Sequence, residues 1–390
     1  MSALRLLGRD FDGFRRAVDA HAADSPAGAV TARWLGLPEL QAAVLGPAAP
    51  EADLLVVPAD WLPALAAAGR VRPLTPWLET APPEGWPTAW SPSFHAGVTW
   101  GTDVVGVPFH DGPQLTFTRT DLAQPPATWG ELLATAARLH GAGTAGTVLA
   151  GAPDGHNNVY DLVLHLWRHG GDLVDEDGGV LLDSAATRAT LRFLREVATT
   201  LVPADAHDLD SNGSGTAFGE GRVGVAVNWA GYAALAGDVP FSVGLAPTAD
   251  DGTPTTTVNA FWATAVTTTC TDPDRAWAHV RHAASAEMDL ATTRAGASGA
   301  RRSTWSHPDV LATRPEHALF EAAHATSRPL PRLAALPQVV DVLSDLVDAV
   351  VWRGEPVEPA LAAAHTAVAA LVAGHRPADA PATTVAGGAR

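Results

Sequence analysis

The chain has 390 residues, a length that predicts two domains or lobes. Apolar residues make up 47% of it and charged residues 17%, which is a globular composition. Its 42 acidic and 25 basic residues give a formal net charge of −17, which argues against nucleic acid and anionic membranes as partners. The chain contains no Lys, which excludes a P-loop, a protein kinase and a lysine-bound pyridoxal cofactor. Its one cysteine, Cys270, excludes an intrachain disulfide and multi-cysteine metal sites.

The first twenty residues carry four arginines and three aspartates, without an apolar signal core, a cleavage site or a cysteine. The longest apolar run, residues 360–374, is shorter than the roughly 20 residues that a membrane span needs. As written, the sequence therefore predicts a cytoplasmic protein without a membrane span.

Apolar runs and helical periodicity alternate along the chain. This alternation predicts an α/β architecture with parallel strands. The predicted strands are residues 3–7, 53–57, 104–109, 114–119, 147–150, 223–228, 243–246 and 261–266. The predicted helices are about residues 11–22, 37–45, 62–68, 128–140, 159–169, 184–200, 272–284, 336–351 and 359–372.

Three short patterns resemble known sites but lack an essential part. The G-x-G-x-x-G of residues 141–146 follows a predicted helix, whereas a dinucleotide site follows a strand and opens a helix. His165 and His169 share a helix face, but the metalloprotease glutamate is absent between them. Residues 208–213 begin like a calcium loop yet lack its final glutamate, so we interpret them as an Asx-rich loop, with calcium as the alternative. We predict no metal and no cofactor.

Tryptophan is unusually frequent, with 13 Trp against two Tyr. Trp61, Trp229 and Trp262 stand at predicted strand ends beside Asp60, Asn228 and Asn259. Sugar rings present flat C–H faces and rims of hydroxyls, so their sites combine aromatic surfaces with planar polar groups. These positions therefore predict a carbohydrate site. Core packing is the expected role of the other tryptophans that we considered: Trp77, Trp100, Trp277 and Trp352.

Several longer motifs occur in a characteristic order. The first are Asp103-Val-Val-Gly-Val-Pro-Phe109, Thr118-Arg-Thr-Asp-Leu122 and Pro125-Pro-Ala-Thr-Trp-Gly-Glu-Leu132. Later ones are Gly170-Gly-Asp-Leu173, Phe218-x-x-Gly-x-x-Gly-Val-Ala226, Asp272-Pro-Asp-Arg-Ala-Trp277 and Arg328-Pro-Leu-Pro331. In order and spacing, the chain resembles the extracellular solute-binding proteins of family one, the sugar-capturing components of ABC importers, over roughly residues 4–372. Thr116-Phe117-Thr118 departs from the aromatic pair usual in that family.

The resemblance implies a two-lobed α/β fold of the periplasmic-binding-protein type (type II), with the ligand in the cleft between the lobes. It implies one lobe from residues 1–108 and about 262–315, a second from residues 109–261 and about 316–375, and a disordered tail at residues 376–390. Carried over by position, it assigns ligand contacts to Asp10, Asp60, Asp111, Trp229, Trp262 and Arg328. Neighbouring residues complete the predicted ligand-binding set: Arg9, Trp61, His110, Asn158 and Asn259.

The function implied is reversible binding of a carbohydrate by a monomer that delivers it to the permease of an ABC importer, without catalysis. Two alternatives are a cytoplasmic sugar sensor and a sugar hydrolase that uses two carboxylates from Asp10, Asp60 and Asp111. The family works outside the cell, which conflicts with the N-terminal sequence. We expect the natural chain to begin further upstream with an export signal and a lipid-anchor cysteine, the alternative being a protein that stays in the cytoplasm.

Overall fold

The computed structural model describes residues 2–141, 143–153 and 157–375, so the predicted disordered tail and Ala142 of the glycine-rich pattern lie outside the described residues. Within these ranges the strands are β1 (Leu4–Arg9), β2 (Val30–Leu35), β3 (Leu54–Pro58), β4 (Thr99–Trp100), β5 (Asp103–Val104), β6 (Val107–His110), β7 (Gln114–Arg119), β8 (Val225–Trp229), β9 (Phe241–Leu245), β10 (Thr257–Val258), β11 (Trp262–Val266) and β12 (Ser327–Arg328).

The helices of the same described residues are α1 (Asp12–Ala23), α2 (Leu37–Leu45), α3 (Leu62–Ala67), α4 (Thr75–Thr80), α5 (Pro92–Val98), α6 (Trp129–Leu139), α7 (Asn157–Arg168), α8 (Ala185–Thr200), α9 (Ser211–Gly219), α10 (Tyr232–Leu235), α11 (Pro273–Ala283), α12 (Ala286–Arg294), α13 (Arg302–Trp305), α14 (Pro308–Thr313), α15 (Phe320–Ala325), α16 (Leu336–Val347) and α17 (Val357–Gly374). Short 3₁₀ turns occupy Ala59–Trp61, Ala206–Asp208 and Pro315–Leu319, and a π-helical turn Asp348–Trp352.

The larger sheet has the strand order β2-β1-β3-β11-β6. Strand β3 is buried along its whole length, as expected for an apolar strand covered on both faces. Strand β1 runs parallel to β2 and β3, whereas β11 runs antiparallel to β3 and β6. The carboxyl ends of β1, β3 and β6 therefore share one edge of the sheet, and β11 begins at that edge.

The register at this edge determines which side chains meet there. Trp262, the first residue of β11, pairs with Pro58 at the end of β3 and with His110 at the end of β6. Arg9 ends the neighbouring strand β1. Ligands of open α/β sheets bind beyond the carboxyl ends of the strands, so this edge is where a site is expected.

The smaller sheet is antiparallel, with the order β8-β7-β9. Gln114, which begins β7, pairs with Trp229, which ends β8. The chain enters this sheet from β6 through residues 111–113 and returns to the larger sheet through residues 259–261. The described residues thus form two α/β lobes connected by crossing segments, which we call lobe one (the larger sheet) and lobe two (the smaller sheet). The residue boundaries of the lobes stay a prediction.

Helices cover both lobes. In lobe one, α1 packs against α11 and α12, and in lobe two α7, α8, α16 and α17 form one apolar cluster. Within the described part of the chain, α17 is the one helix long and apolar enough to cross a membrane by length and composition. Its buried residues recur at helical spacing and belong to the lobe-two cluster: Val357, Leu361, Ala364, Val368 and Val372.

Candidate ligand-binding site

A cavity of about 490 Å³ lies between the lobes. Its lobe-one wall comes from the ends of β1 and β6, the first turns of α1 and the start of β11. Its lobe-two wall comes from α7, the beginning of α9, the end of β8 and α10. The volume falls within the roughly 300–1,000 Å³ of small-molecule sites, so the cavity is the candidate site.

An aromatic cluster supports the lobe-one wall. The ring of Phe14 meets Trp262 edge-to-face, with centroids 5.1 Å apart, and meets His110 at 5.0 Å. Phe11 in turn packs edge-on against Phe14 at 5.2 Å. These contacts fix the half-buried indole of Trp262, which leaves part of its surface available to the cavity.

Charged side chains also line the cavity. Arg9, Asp12 and Arg16 lie on the lobe-one wall, and Arg314 follows α14. The Arg9 guanidinium carbon lies 5.8 Å from the centroid of the Trp262 ring, within cation–π range. Sequence reasoning included Arg9 as a neighbour of Asp10, but it gave no signal for the other three.

His110 is held in one tautomer. Its Nδ1 accepts a hydrogen bond of 2.9 Å from the backbone N–H of Ser298. Burial lowers the pKa of His110 to about 4, so the ring is neutral near pH 7. A neutral imidazole that accepts at Nδ1 carries its proton on Nε2. His110 therefore contributes a hydrogen-bond donor to the cavity.

Trp229 and Tyr160 form the aromatic part of the lobe-two wall. Their rings meet edge-to-face with centroids 5.2 Å apart. The Tyr160 hydroxyl donates a hydrogen bond of 2.7 Å to Oδ2 of Asp60, which lies on lobe one. The half-buried Trp229 lines the cavity opposite the wall that contains Trp262. Both tryptophans were predicted from their strand-end positions, whereas Tyr160 was missed.

The beginning of α9 completes the lobe-two wall. Ser211 and Asn212 line the cavity, and Asp210 caps the helix by accepting a hydrogen bond of 2.7 Å from the N–H of Gly213. The segment interpreted as an Asx-rich loop is thus a helix start, because Asp210 satisfies a first-turn amide. Among the residues that the structure describes, no three His, Cys, Asp or Glu side chains are grouped as a metal site.

The structure brings four of the eleven predicted ligand-binding residues to the cavity: Arg9, His110, Trp229 and Trp262. Two predicted aspartates lie below the surface instead. Asp60 is buried against Tyr160, and Asp111 is buried with His324, whose Nε2 lies 2.9 Å from Asp111 Oδ2. Both carboxylates thus have internal partners, and neither lines the cavity.

The other predicted residues also lie away from the cavity. Trp61 belongs to the core, and Asn158 donates a hydrogen bond of 2.9 Å to the Ser344 hydroxyl. Asn259 is buried in the crossing segment. Two charged residues form surface ion pairs instead, Asp10 with Arg15 and Arg328 with Asp172. A strand-end position alone does not reveal whether a side chain turns inward, toward solvent or toward the cleft.

A two-lobed α/β fold with a polar, aromatic cavity in its cleft defines a binding protein of the solute-binding type, as the sequence predicted. A family model, "Bacterial extracellular solute-binding protein", matches residues 24–289. The chain therefore belongs to the bacterial extracellular solute-binding proteins.

Solved structures of low sequence identity share the whole fold. The maltose-bound MalE3 of T. maritima is 20% identical with a TM-score of 0.83, over 95% of this chain and 99% of that one. A ribitol-bound solute-binding protein of an ABC transporter from Agrobacterium radiobacter K84 is 20% identical with a TM-score of 0.82, over 95% and 98%. The maltotriose-bound protein of Thermus thermophilus is 18% identical with a TM-score of 0.77, over 94% and 99%.

The family corrects one expectation. The first twenty residues, taken as written, predict a cytoplasmic protein, but the family is extracellular, so that prediction is wrong. The absence of recognisable export features in a short stretch of sequence was a weaker indicator of location than the fold and the family match.

Proposed function

We propose that this protein binds a carbohydrate reversibly in the cavity between its lobes and delivers it to the permease of an ABC importer. The observation that carries the proposal is the pair of half-buried tryptophans, Trp229 and Trp262, which line the cavity from opposite lobes. Closure of the lobes on a sugar would place an aromatic face on each side of it. The maltose, ribitol and maltotriose bound in the similar structures are consistent with this proposal.

Polar groups around the two indoles suit the rim of a sugar. His110 offers a donor, while Ser211 and Asn212 offer groups that donate and accept. One chain supplies both walls of the cavity, so we propose a monomer as the binding unit.

We also propose that the protein has no catalytic activity. A glycosidase places two carboxyl groups on either side of the scissile bond. Asp10, Asp60 and Asp111 have partners elsewhere, and Asp12 is the single carboxylate among the described residues that line the cavity. This arrangement favours binding over hydrolysis.

Calorimetric titration with mono-, di- and trisaccharides, neutral and acidic, tests the binding function. We expect saturable binding of at least one sugar, a rise in melting temperature with that sugar, and an unchanged sugar after overnight incubation. Shortened products would establish the hydrolase instead. A panel in which no sugar binds would refute carbohydrate binding.

A further inference from the structure

Each lobe presents a leucine to the cavity. Among the described residues, the exposed large apolar side chains are Leu181, Leu235 and Leu245, and of these Leu235 lines the cavity. Leu235 ends α10 on lobe two and is 38% exposed. Leu37, which begins α2 on lobe one, is half-buried and also lines the cavity. The cavity therefore contains aliphatic surface in addition to the tryptophans that suit a sugar ring.

The lobe-one leucine is separated from the lobe-one tryptophan along the sheet edge. Trp262 begins β11, whereas Leu37 follows the end of β2. Neighbouring strands lie about 4.8 Å apart, so the three steps from β11 through β3 and β1 to β2 span roughly 14 Å. Pro58 and Arg9, which end the two strands between them, both line the cavity. The cavity thus extends along this edge further than a single pyranose ring reaches.

The lobe-two wall is divided in a similar way. Trp229 packs against the Tyr160 ring of α7, with centroids 5.2 Å apart. Leu235 instead packs beside α9, because a Cβ at Gly215 would lie 2.7 Å from Leu235 Cδ1. The exposed Ala234 precedes Leu235 and lines the cavity as well. This wall therefore has an aromatic part at α7 and β8 and an aliphatic part at α9 and α10.

The aliphatic surface is a poor partner for sugar hydroxyls. A hydroxyl placed against a leucine side chain loses its hydrogen bonds to water and gains none in return. An apolar group in the same place removes its own surface and that of the leucine from water, which is favourable. Exposed leucines inside a ligand cavity therefore indicate an apolar part of the ligand.

We propose, on the basis of the carbohydrate function proposed above, that the ligand is a glycoside with an apolar aglycone. Its sugar ring lies between Trp229 and Trp262, and its aglycone contacts Leu37 and Leu235. The two parts of the ligand differ in polarity as the two parts of the cavity do. The leucines thereby select the aglycone and fix the direction of the glycoside in the cleft.

Paired calorimetric titrations test the proposal. Each pair is the methyl and the phenyl glycoside of one sugar, in both anomers, for glucose, galactose, mannose and xylose. We expect the phenyl glycoside of the bound sugar to bind at least about tenfold more tightly than its methyl glycoside, with a more negative heat capacity change. Maltose and cellobiose, which add a second sugar ring instead of a phenyl group, should gain less affinity over methyl glucoside than phenyl glucoside does.

Three results would overturn the proposal in distinguishable ways. Phenyl glycosides that bind no more tightly than methyl glycosides, or a disaccharide that gains as much as a phenyl glycoside, would refute the apolar aglycone and leave the carbohydrate function intact. Phenol that binds as tightly as the phenyl glycosides would show an apolar pocket without sugar recognition. Failure of every free sugar and every glycoside to bind would refute the carbohydrate function itself.

Variants assign the preference to the two leucines. Leu37→Gln and Leu235→Gln should each weaken binding of the phenyl glycoside about fivefold to tenfold and change binding of the methyl glycoside much less, whereas Leu235→Met should keep the preference. Leu181→Gln is the matched control, because Leu181 is 41% exposed and does not line the cavity. Equal losses for both members of a pair, with unchanged melting temperatures of the free variants, would show that the leucines do not select the aglycone.

Discussion

The Tyr160 hydroxyl donates a 2.7 Å hydrogen bond to Asp60 Oδ2, joining α7 of lobe two to the 3₁₀ turn after β3 of lobe one. Both residues are buried, and Tyr160 also lines the cavity and packs against Trp229. The contact between the lobes is thus continuous with the candidate site. Arg332 lies near Asp60 and donates to the Ala59 and Thr99 carbonyl oxygens.

Asp60 gives the first prediction. Burial raises its pKa from 3.8 to about 6, although the Tyr160 hydrogen bond and Arg332 act in the opposite direction. Between these values the folded state holds more protons than the unfolded state, so Asp60 lowers stability as pH rises from about 4 to 6, by up to about 3 kcal/mol. Asp60→Asn should therefore gain stability relative to the natural chain over this window. Urea denaturation at several pH values measures the difference, and a difference that is constant with pH would contradict the prediction.

Tyr160→Phe removes the donor from Asp60 but keeps the ring beside Trp229. We expect the free energy of unfolding to fall by about 1–3 kcal/mol, because a buried carboxylate loses a hydrogen bond. The fall should be larger at pH 7.5 than at pH 5, where Asp60 is protonated. The same substitution in an Asp60→Asn background is the control. If the double variant loses as much as the single variant, the hydroxyl stabilises the protein through another contact.

His110 should act with the opposite sign. Its pKa is lowered to about 4 from 6.5, so the unfolded state binds more protons between these values and stability falls as pH drops. The contribution of His110 is up to about 3 kcal/mol at pH 4 relative to pH 7. His110→Gln retains a side-chain acceptor for the Ser298 N–H and should lose less stability than the natural chain on acidification. If the free energies of unfolding of the two proteins fall by the same amount between pH 7 and pH 4, His110 does not contribute to the pH dependence of stability.

The two tryptophans that line the cavity should contribute to sugar binding. We expect Trp229→Ala and Trp262→Ala each to weaken sugar binding by about 1–3 kcal/mol, the cost of a lost aromatic contact in a desolvated site. Trp352→Ala is the matched control, because Trp352 is half-buried beside His207 and does not line the cavity. Calorimetry with the tightest sugar measures all three. If both cavity variants bind the sugar as tightly as the unsubstituted protein does, the sugar binds elsewhere.

Strong apolar patterns allowed much of the fold to be predicted. Helix α2 and strand β7 have the predicted bounds, and β3 differs by one residue at each end. At the start of α6, Thr128 accepts a hydrogen bond from the Glu131 N–H, and the Glu131 carboxylate accepts one from the Ala127 N–H. Both bonds satisfy backbone amides at the beginning of the helix.

Two missed elements show where local pattern fails. Strand β2 alternates between half-buried and exposed residues at the edge of its sheet, so no apolar run marks it. Helix α9 has the composition of a loop, Ser-Asn-Gly-Ser-Gly, and forms because Asp210 caps it and Phe218 packs in the core. The strand predicted at residues 147–150 does not form in the described structure, although Thr147, Val148 and Ala150 are buried.

The site was predictable only where strand ends define it. Trp229 and Trp262 stand at strand ends that the sequence predicts, whereas Arg9 ends β1 two residues beyond the predicted strand. Arg16 and Tyr160 lie on helices, where position in the sequence does not distinguish a cavity-facing residue from one that faces solvent or the core. Their roles depend on how the two lobes are placed relative to each other.

Gly13 gives the last prediction, which concerns the supporting structure of the cavity wall. A Cβ at Gly13 would lie 2.8 Å from backbone atoms of Gly296 and Ala297, and a backbone cannot move aside as the end of a flexible side chain can. Alanine usually stabilises a helix by about 1 kcal/mol relative to glycine, but here overpacking should dominate. Gly13→Ala should therefore lower the free energy of unfolding by about 1–3 kcal/mol.

Gly112 also lines the cavity, yet a Cβ there meets nothing within 4 Å. Gly112→Ala is therefore the matched control, with an expected change below about 0.5 kcal/mol. Urea denaturation of the two variants measures the contrast. Equal stability of both would show that α1 can shift away from the segment after α12.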